Sequence, residues 1–150
     1  MDSLQKDGKY SITNSMEEKL KDFYGDFSDI EEVYEVIKDV YEKENYLMDT
    51  HTAVAYSVYK KYSQKTGDDK KVLIASTASP FKFNRSIINA LGIDAGDKDD
   101  LELLNTLSEK TSLEIPKALK ELKDLKLVHN LECDAYKMED ILKKILKVGE

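Results

Sequence analysis

Apolar residues recur at helical spacing along most of this chain and fuse into one short continuous run near its middle. Asn14-Ser15-Met16-Glu17-Glu18 sets a Ser three residues before a Glu, the capping-box spacing, and Leu20, Phe23 and Tyr24 follow on one face. A short helix is predicted there. Ser28-Asp29-Ile30-Glu31 repeats the spacing, and Ile30, Val33, Tyr34, Ile37, Val40 and Tyr41 then mark about four turns of an amphipathic helix. After the apolar link Tyr46-Leu47-Met48, Asp49 or Thr50 can cap a helix carrying Ala53, Val54, Ala55, Val58, Tyr59 and Tyr62, with Gly67 as its stop. The first half of that helix is almost wholly small or apolar, which predicts burial.

The continuous run is residues 71–75, Lys-Val-Leu-Ile-Ala, bounded by polar turn residues; it reads as a buried strand. Residues 76–79 follow as a loop. Ser79-Pro80 has the form of an N-cap with Pro at the first helical position, opening a helix over 80–91 that Gly92 closes. Leu101, Leu103, Leu104 and Leu107 mark another helix, entered from Asp97 or Asp99. Pro116 opens a further one with Leu119 and Leu122; residues 126–129 form a short strand; Met138, Ile141, Leu142, Ile145 and Leu146 line a packed last helix.

About seven helices and two strands give a helix-rich α/β fold with an incomplete parallel sheet flanked by helices, because one buried-type strand demands neighbours. Either residues 9–13 and 46–48 supply poor extra strands, or the sheet is completed by residues outside this chain.

Composition narrows the classes of function. The 150 residues are 41% apolar and 35% charged, with a formal net charge of −7, which fits a folded globular domain and argues against a nucleic-acid partner held by counterion release. Cys133 is the only cysteine and sits between Glu132 and Asp134, which disfavour a thiolate, so a structural thiol and a reducing, cytoplasmic setting are expected. No run approaches the roughly 20 apolar residues of a membrane span, and residues 1–10 lack an apolar signal core.

Candidate chemistry concentrates after the apolar run. A strand, a polar loop and a helix N-terminus in succession form the arrangement that holds ligands in open α/β sheets. Thr77 and Ser79 offer hydroxyls there, while Lys82 and Arg85 add positive charge near free backbone N–H groups. The same pattern also fits a plain cap at Ser79, with Lys82 and Arg85 facing solvent. His51, beside Asp49, admits an acid/base or metal-ligand role, but the other imidazole, His129, is distant in sequence and has no ligand-spaced companion. A buried, hydrogen-bonded histidine at a helix start is the simpler reading, and no metal site is expected.

Three stretches carry a family resemblance. YLMDTHTAVAY at 46–56 resembles a YL-(D/E)-PH-(T/A)-AVAY segment, ASTASPFKF at 75–83 resembles a TAHPAKF loop, and residues 116–131 resemble a closing P-x-x-L…L-x-L-x-x-N-L segment. Together, in this order, they resemble the C-terminal part of the threonine synthases, fold-type II enzymes dependent on pyridoxal phosphate. Residues 1–12 are also similar to a mid-chain segment of that family.

The resemblance implies that residues 1–150 are one C-terminal region of a chain about three times longer, packed against its own N-terminal part. The family's cofactor lysine and glycine-rich phosphate loop have no matching motif here, so no catalytic residue and no activity are expected of these residues alone. The whole enzyme would be a carbon–oxygen lyase converting O-phosphohomoserine and water to threonine and phosphate. Thr77 matches the family threonine whose hydroxyl contacts the cofactor's pyridine nitrogen; a neutral hydroxyl there tunes electron withdrawal without enforcing ring protonation. Lys82 matches a lysine expected near an anionic substrate or in holding the loop, and His51 matches a histidine for packing or substrate-site support. Ser79 stands where a His is expected, Phe81 where an Ala is, and Thr50 where a Pro is common. The alternatives are a non-catalytic small-ligand or protein-interaction domain descended from such an enzyme, and a fold-type II enzyme of another reaction class.

Overall fold

A computed structural model describes residues 2–126, 128 and 130–148. It divides into two compact units, Met1–Pro116 and Lys117–Glu150.

The first unit begins with two short exposed helices, α1 (Asp2–Asp7) and α2 (Asn14–Lys19). Thr13 caps α2, accepting from the Met16 N–H at 3.3 Å, so Ser15 lies inside the helix rather than at its cap. In α3 (Ile30–Glu44) the capping box is Asp29 with Glu32, one residue later than the Ser28–Glu31 pair that shows the same spacing. A carboxylate at the N-cap accepts an N–H bond with its full charge, which favours Asp29. α3 buries Val33, Val36 and Ile37 along one face and leaves Ile30 exposed. The left-handed Asn45 ends it, and residues 45–49 lead into α4 (Thr50–Thr66), capped by Asp49 and closed by Gly67 at φ 70°. Tyr62 of α4 meets the Tyr24 ring edge-on at 5.1 Å, and Lys61 reaches the Phe27 carbonyl at 2.9 Å.

Residues 80–83 form one turn of 3₁₀ helix, capped by Ser79 with Pro80 at its start, and run directly into α5 (Asn84–Ala90). The helix predicted over 80–91 thus forms, with a tighter first turn. α6 (Asp100–Thr111) follows, its capping box made by Asp99 and Glu102. α3 packs against both α4 and α5, and α5 packs against α6. Ile37, Ile87, Ile88, Leu103 and Leu107 are fully buried where these helices meet. Each such side chain contributes about 1.5–3 kcal/mol of apolar burial.

The expected sheet is absent. Among the described residues no strand forms, and the fold is helical rather than α/β. Residues 71–75, read above as a buried strand, form neither helix nor strand; Leu73 is 100% exposed and Val72 47%. Residues 9–13 and 46–48 supply no strands either, although Leu47 and Met48 are buried as a link between helices. The run 71–75 has the composition of a central strand, but strand pairing is made by a neighbouring strand, and among the described residues this run lies along α4, beside Val58 and Tyr62, with no strand to complete a ladder. Leu127 and His129, within the second predicted strand, lie outside the described residues; Lys126 and Val128 are in no strand.

The second unit holds α7 (Lys117–Lys120), which continues into a 3₁₀ turn, Glu121–Asp124; a further 3₁₀ turn, Ala135–Lys137, leads into α8 (Met138–Leu146). None of its described residues is buried, so the last helix forms but is not packed as expected. Met138, Leu142, Ile145 and Leu146 are all more than half exposed. Cys133 is a free, exposed thiol. Among the described residues no helix is long and apolar enough to cross a membrane.

Candidate functional site

The site is built where the start of α4 meets the polar loop before α5. Asp49, the N-cap of α4, is completely buried. One of its oxygens accepts from the backbone N–H groups of His51, at 2.9 Å, and of Thr52, at 3.3 Å. Its other oxygen accepts the Thr52 hydroxyl. Burial pushes the Asp49 carboxyl up, but the Thr52 hydroxyl and the two N–H groups favour the charged form more strongly, and it stays below the ordinary carboxylate value. The helix start therefore carries a buried negative charge. Thr52 Oγ1 lies 3.0 Å from Ser76 Oγ in the loop.

A second bridge lies at the far end of the loop. The His51 ring tilts against Phe83 with centroids 4.9 Å apart, and the Lys82 ammonium lies 5.6 Å from the same Phe83 ring. Between the two bridges, Ser79 accepts from the Phe81 N–H at 3.3 Å, and Phe81 itself is buried. Thr77 is exposed, and among the described residues its hydroxyl makes no hydrogen bond.

The structure therefore ties His51 to the loop through Phe83, beside Lys82, and uses Ser79 as a cap. His51 is not the buried histidine expected: its side chain is 70% exposed, and Nδ1 lies 3.6 Å from Asp49. Arg85 turns elsewhere, donating to the Lys98 carbonyl at 2.5 Å, so it braces the connection to α6. Two grooves flank the junction. One, of about 420 Å³, has Thr52, Ser76, Tyr46, Tyr56 and Glu44 in its walls; the other, of about 350 Å³, has Thr50, His51, Ser28, Tyr34 and Ser86. A larger hollow of about 480 Å³ lies along α3 among Glu35, Lys38, Glu42 and Lys60, away from this junction. Among the described residues no three His, Cys, Asp or Glu side chains converge as metal ligands.

Thr52 and Ser76 did not stand out in the sequence as site residues. The usable signal was local: Asp at the cap and a hydroxyl at the third helical position share the spacing of a capping box, although the Thr52 hydroxyl donates to the Asp49 carboxylate instead of accepting from its N–H.

A buried acidic cap joined to a polar loop marks a helical domain that presents hydroxyls from a braced segment. Comparison with known proteins gives that domain its family. The family described as threonine synthase, C-terminal, matches residues 52–132, just over half of the chain, and the chain belongs to it. The matched stretch begins at Thr52 and contains Ser76, Thr77, Ser79, Lys82 and Phe83. Relatives include a threonine synthase of Schizosaccharomyces pombe, 31% identical over 61% of this chain and 18% of its own length. The threonine synthase-like 1 proteins of Mus musculus and Homo sapiens are 37% and 35% identical, over 66% and 60% of this chain and 13% and 12% of their own lengths. The chain thus spans less than a fifth of the length of these relatives.

Proposed function

We propose that these 150 residues work as the C-terminal region of a threonine synthase, a carbon–oxygen lyase that turns O-phosphohomoserine and water into threonine and phosphate. In this reading the region packs against the N-terminal part of its own chain and supplies one wall of a pyridoxal phosphate site. The small share of each relative that it spans supports a partial role. The exposed apolar run at 71–75 supports a missing neighbour.

The donor set suits one edge of the cofactor. The observation that carries the reading is the Thr77 hydroxyl, left without a partner among the described residues in a loop fastened on both sides. When bound, the cofactor supplies an electron-withdrawing ring. Thr77 would meet the ring nitrogen with a neutral hydroxyl, able to donate or accept, and so hold no full charge there. Lys82, exposed one residue before Phe83, would offer positive charge to an anionic substrate. His51 and Phe83 would keep the end of the loop in place. The cofactor lysine and the phosphate cradle belong to the rest of the enzyme in this reading.

Thr77→Val in the whole enzyme tests it. The cofactor should still bind, measured by its absorbance, while turnover falls about tenfold or more, a barrier change of about 1.4 kcal/mol. Unchanged turnover removes Thr77 from the site. Pyridoxal phosphate titrated at equimolar amount into the 150-residue chain alone should leave no single lysine selectively labelled after borohydride treatment. One lysine labelled selectively and stoichiometrically would overturn the division of labour proposed here.

A further inference from the structure

The Asp49 cluster contains more than a helix cap requires. One carboxylate oxygen, accepting from the His51 and Thr52 N–H groups, already satisfies the start of α4. The second oxygen is engaged by the Thr52 hydroxyl. An ionised carboxylate can only accept, and a Thr hydroxyl has a single proton, so that proton is committed to Asp49. Thr52 Oγ1 then has only lone pairs left for Ser76 Oγ, 3.0 Å away, and Ser76 must be the donor between them. A buried charge thereby fixes the direction of a bond whose outer end is exposed.

That bond has little help. Among the described residues it is the one hydrogen bond made by residues 71–78, the stretch that contains Thr77. The adjoining apolar residues add little, since Leu73 is 100% exposed and only Ile74 of residues 72–75 is half-buried, in grooves along α4.

We propose that Thr52 is a positioning residue: with its proton held by Asp49, it accepts the Ser76 hydroxyl and so sets the conformation of the stretch that carries Thr77. This deepens the reading of Thr77 given above and rests on it only for what the Thr77 hydroxyl meets. Thr52 touches neither substrate nor cofactor in this scheme; it acts through Ser76.

The test is backbone ¹⁵N relaxation on the full 150-residue chain. In Thr52→Val, nearly the same shape without the hydroxyl, the order parameters of Ser76, Thr77 and Ala78 should fall from about 0.85 to below about 0.6, while those of α3 and α4 hold. Thr52→Ser, which keeps the hydroxyl, should restore the loop. Because Thr52 is buried, Ser76→Ala at an exposed position serves as the second variant and should loosen the same three residues. Unchanged order parameters in a folded Thr52→Val, or in Ser76→Ala, overturn the proposal, as does failure of Thr52→Ser to rescue. The measurement needs no cofactor. A loop that loosens in Thr52→Val while Thr77→Val leaves turnover intact would support the positioning role and reject the cofactor reading.

Discussion

Val-Leu-Ile-Ala at 72–75 is the more apolar of two short runs, the other being Ile-Ile-Asn-Ala at 87–90, yet their fates are opposite. Ile87 and Ile88 are fully buried and Ala90 nearly so, whereas Leu73 is fully exposed and Val72 about half exposed. The difference lies in where the backbone finds its partners. α5 closes its own hydrogen bonds and needs only one apolar face covered, which α3 and α6 provide. A strand closes none of its own and depends on neighbours along both edges. Hydrophobicity alone therefore does not decide burial: the less apolar run builds the core, and the more apolar one leaves Val72 and Leu73 exposed.

The largest expected effect on this contrast comes from Ile87→Ala, which opens a cavity at the centre of the packed helices. It should lower unfolding stability by about 3 kcal/mol in urea, with the slope unchanged. A loss below about 1 kcal/mol would mean that the core is loosely packed.

Next is Asp49→Asn, which keeps the shape of the cap and removes its charge. The expected loss at neutral pH is about 1–2 kcal/mol. The Asp49 carboxyl lies below its ordinary value in the folded chain, so its stabilisation is complete above the unfolded value of about 3.8 and is lost as pH falls through the lower folded value. The stability difference between the parent and Asp49→Asn should accordingly be constant near neutrality and shrink below about pH 3.8. A difference that instead grows with acid would place the shift in the opposite direction.

The smallest effect belongs to Leu73→Ser in the exposed run. In this chain it should change stability by less than about 0.5 kcal/mol. A loss as large as that of Ile87→Ala would show that residues 71–75 are covered in solution.

What the sequence made legible follows the same division. The caps at Asp49, Asp99 and Ser79, the Pro80 start and the Gly67 stop involve residues within a few positions of one another, and local chemistry specifies them. Two starts moved because rival cap residues stood side by side: Thr13 near Ser15, and Asp29 next to Ser28. The sheet was misread because pairing depends on distant residues, which the apolar run alone does not reveal. At the site, the loop and its hydroxyls were visible, as was the family they resemble. The bond between Thr52 and Ser76 spans 24 residues, and no local pattern specifies it. His51 was expected inside, as a hydrogen-bonded residue at a helix start with no ligand-spaced companion, yet at the second position of α4 its side chain extends outward beside Phe83.

The distance in sequence between Thr52 and Ser76 also bears on which part of the chain opens first. α3 and α4 are joined by only residues 45–49, a short closure. Ser76 must return to the start of α4 across Gly67 and residues 68–75, a flexible closure that the single bond to Thr52 has to offset. The stretch that carries Thr77 is therefore expected to open locally before the packed helices do, its amides at Ser76 to Ala78 exchanging faster than those of α3 in hydrogen exchange.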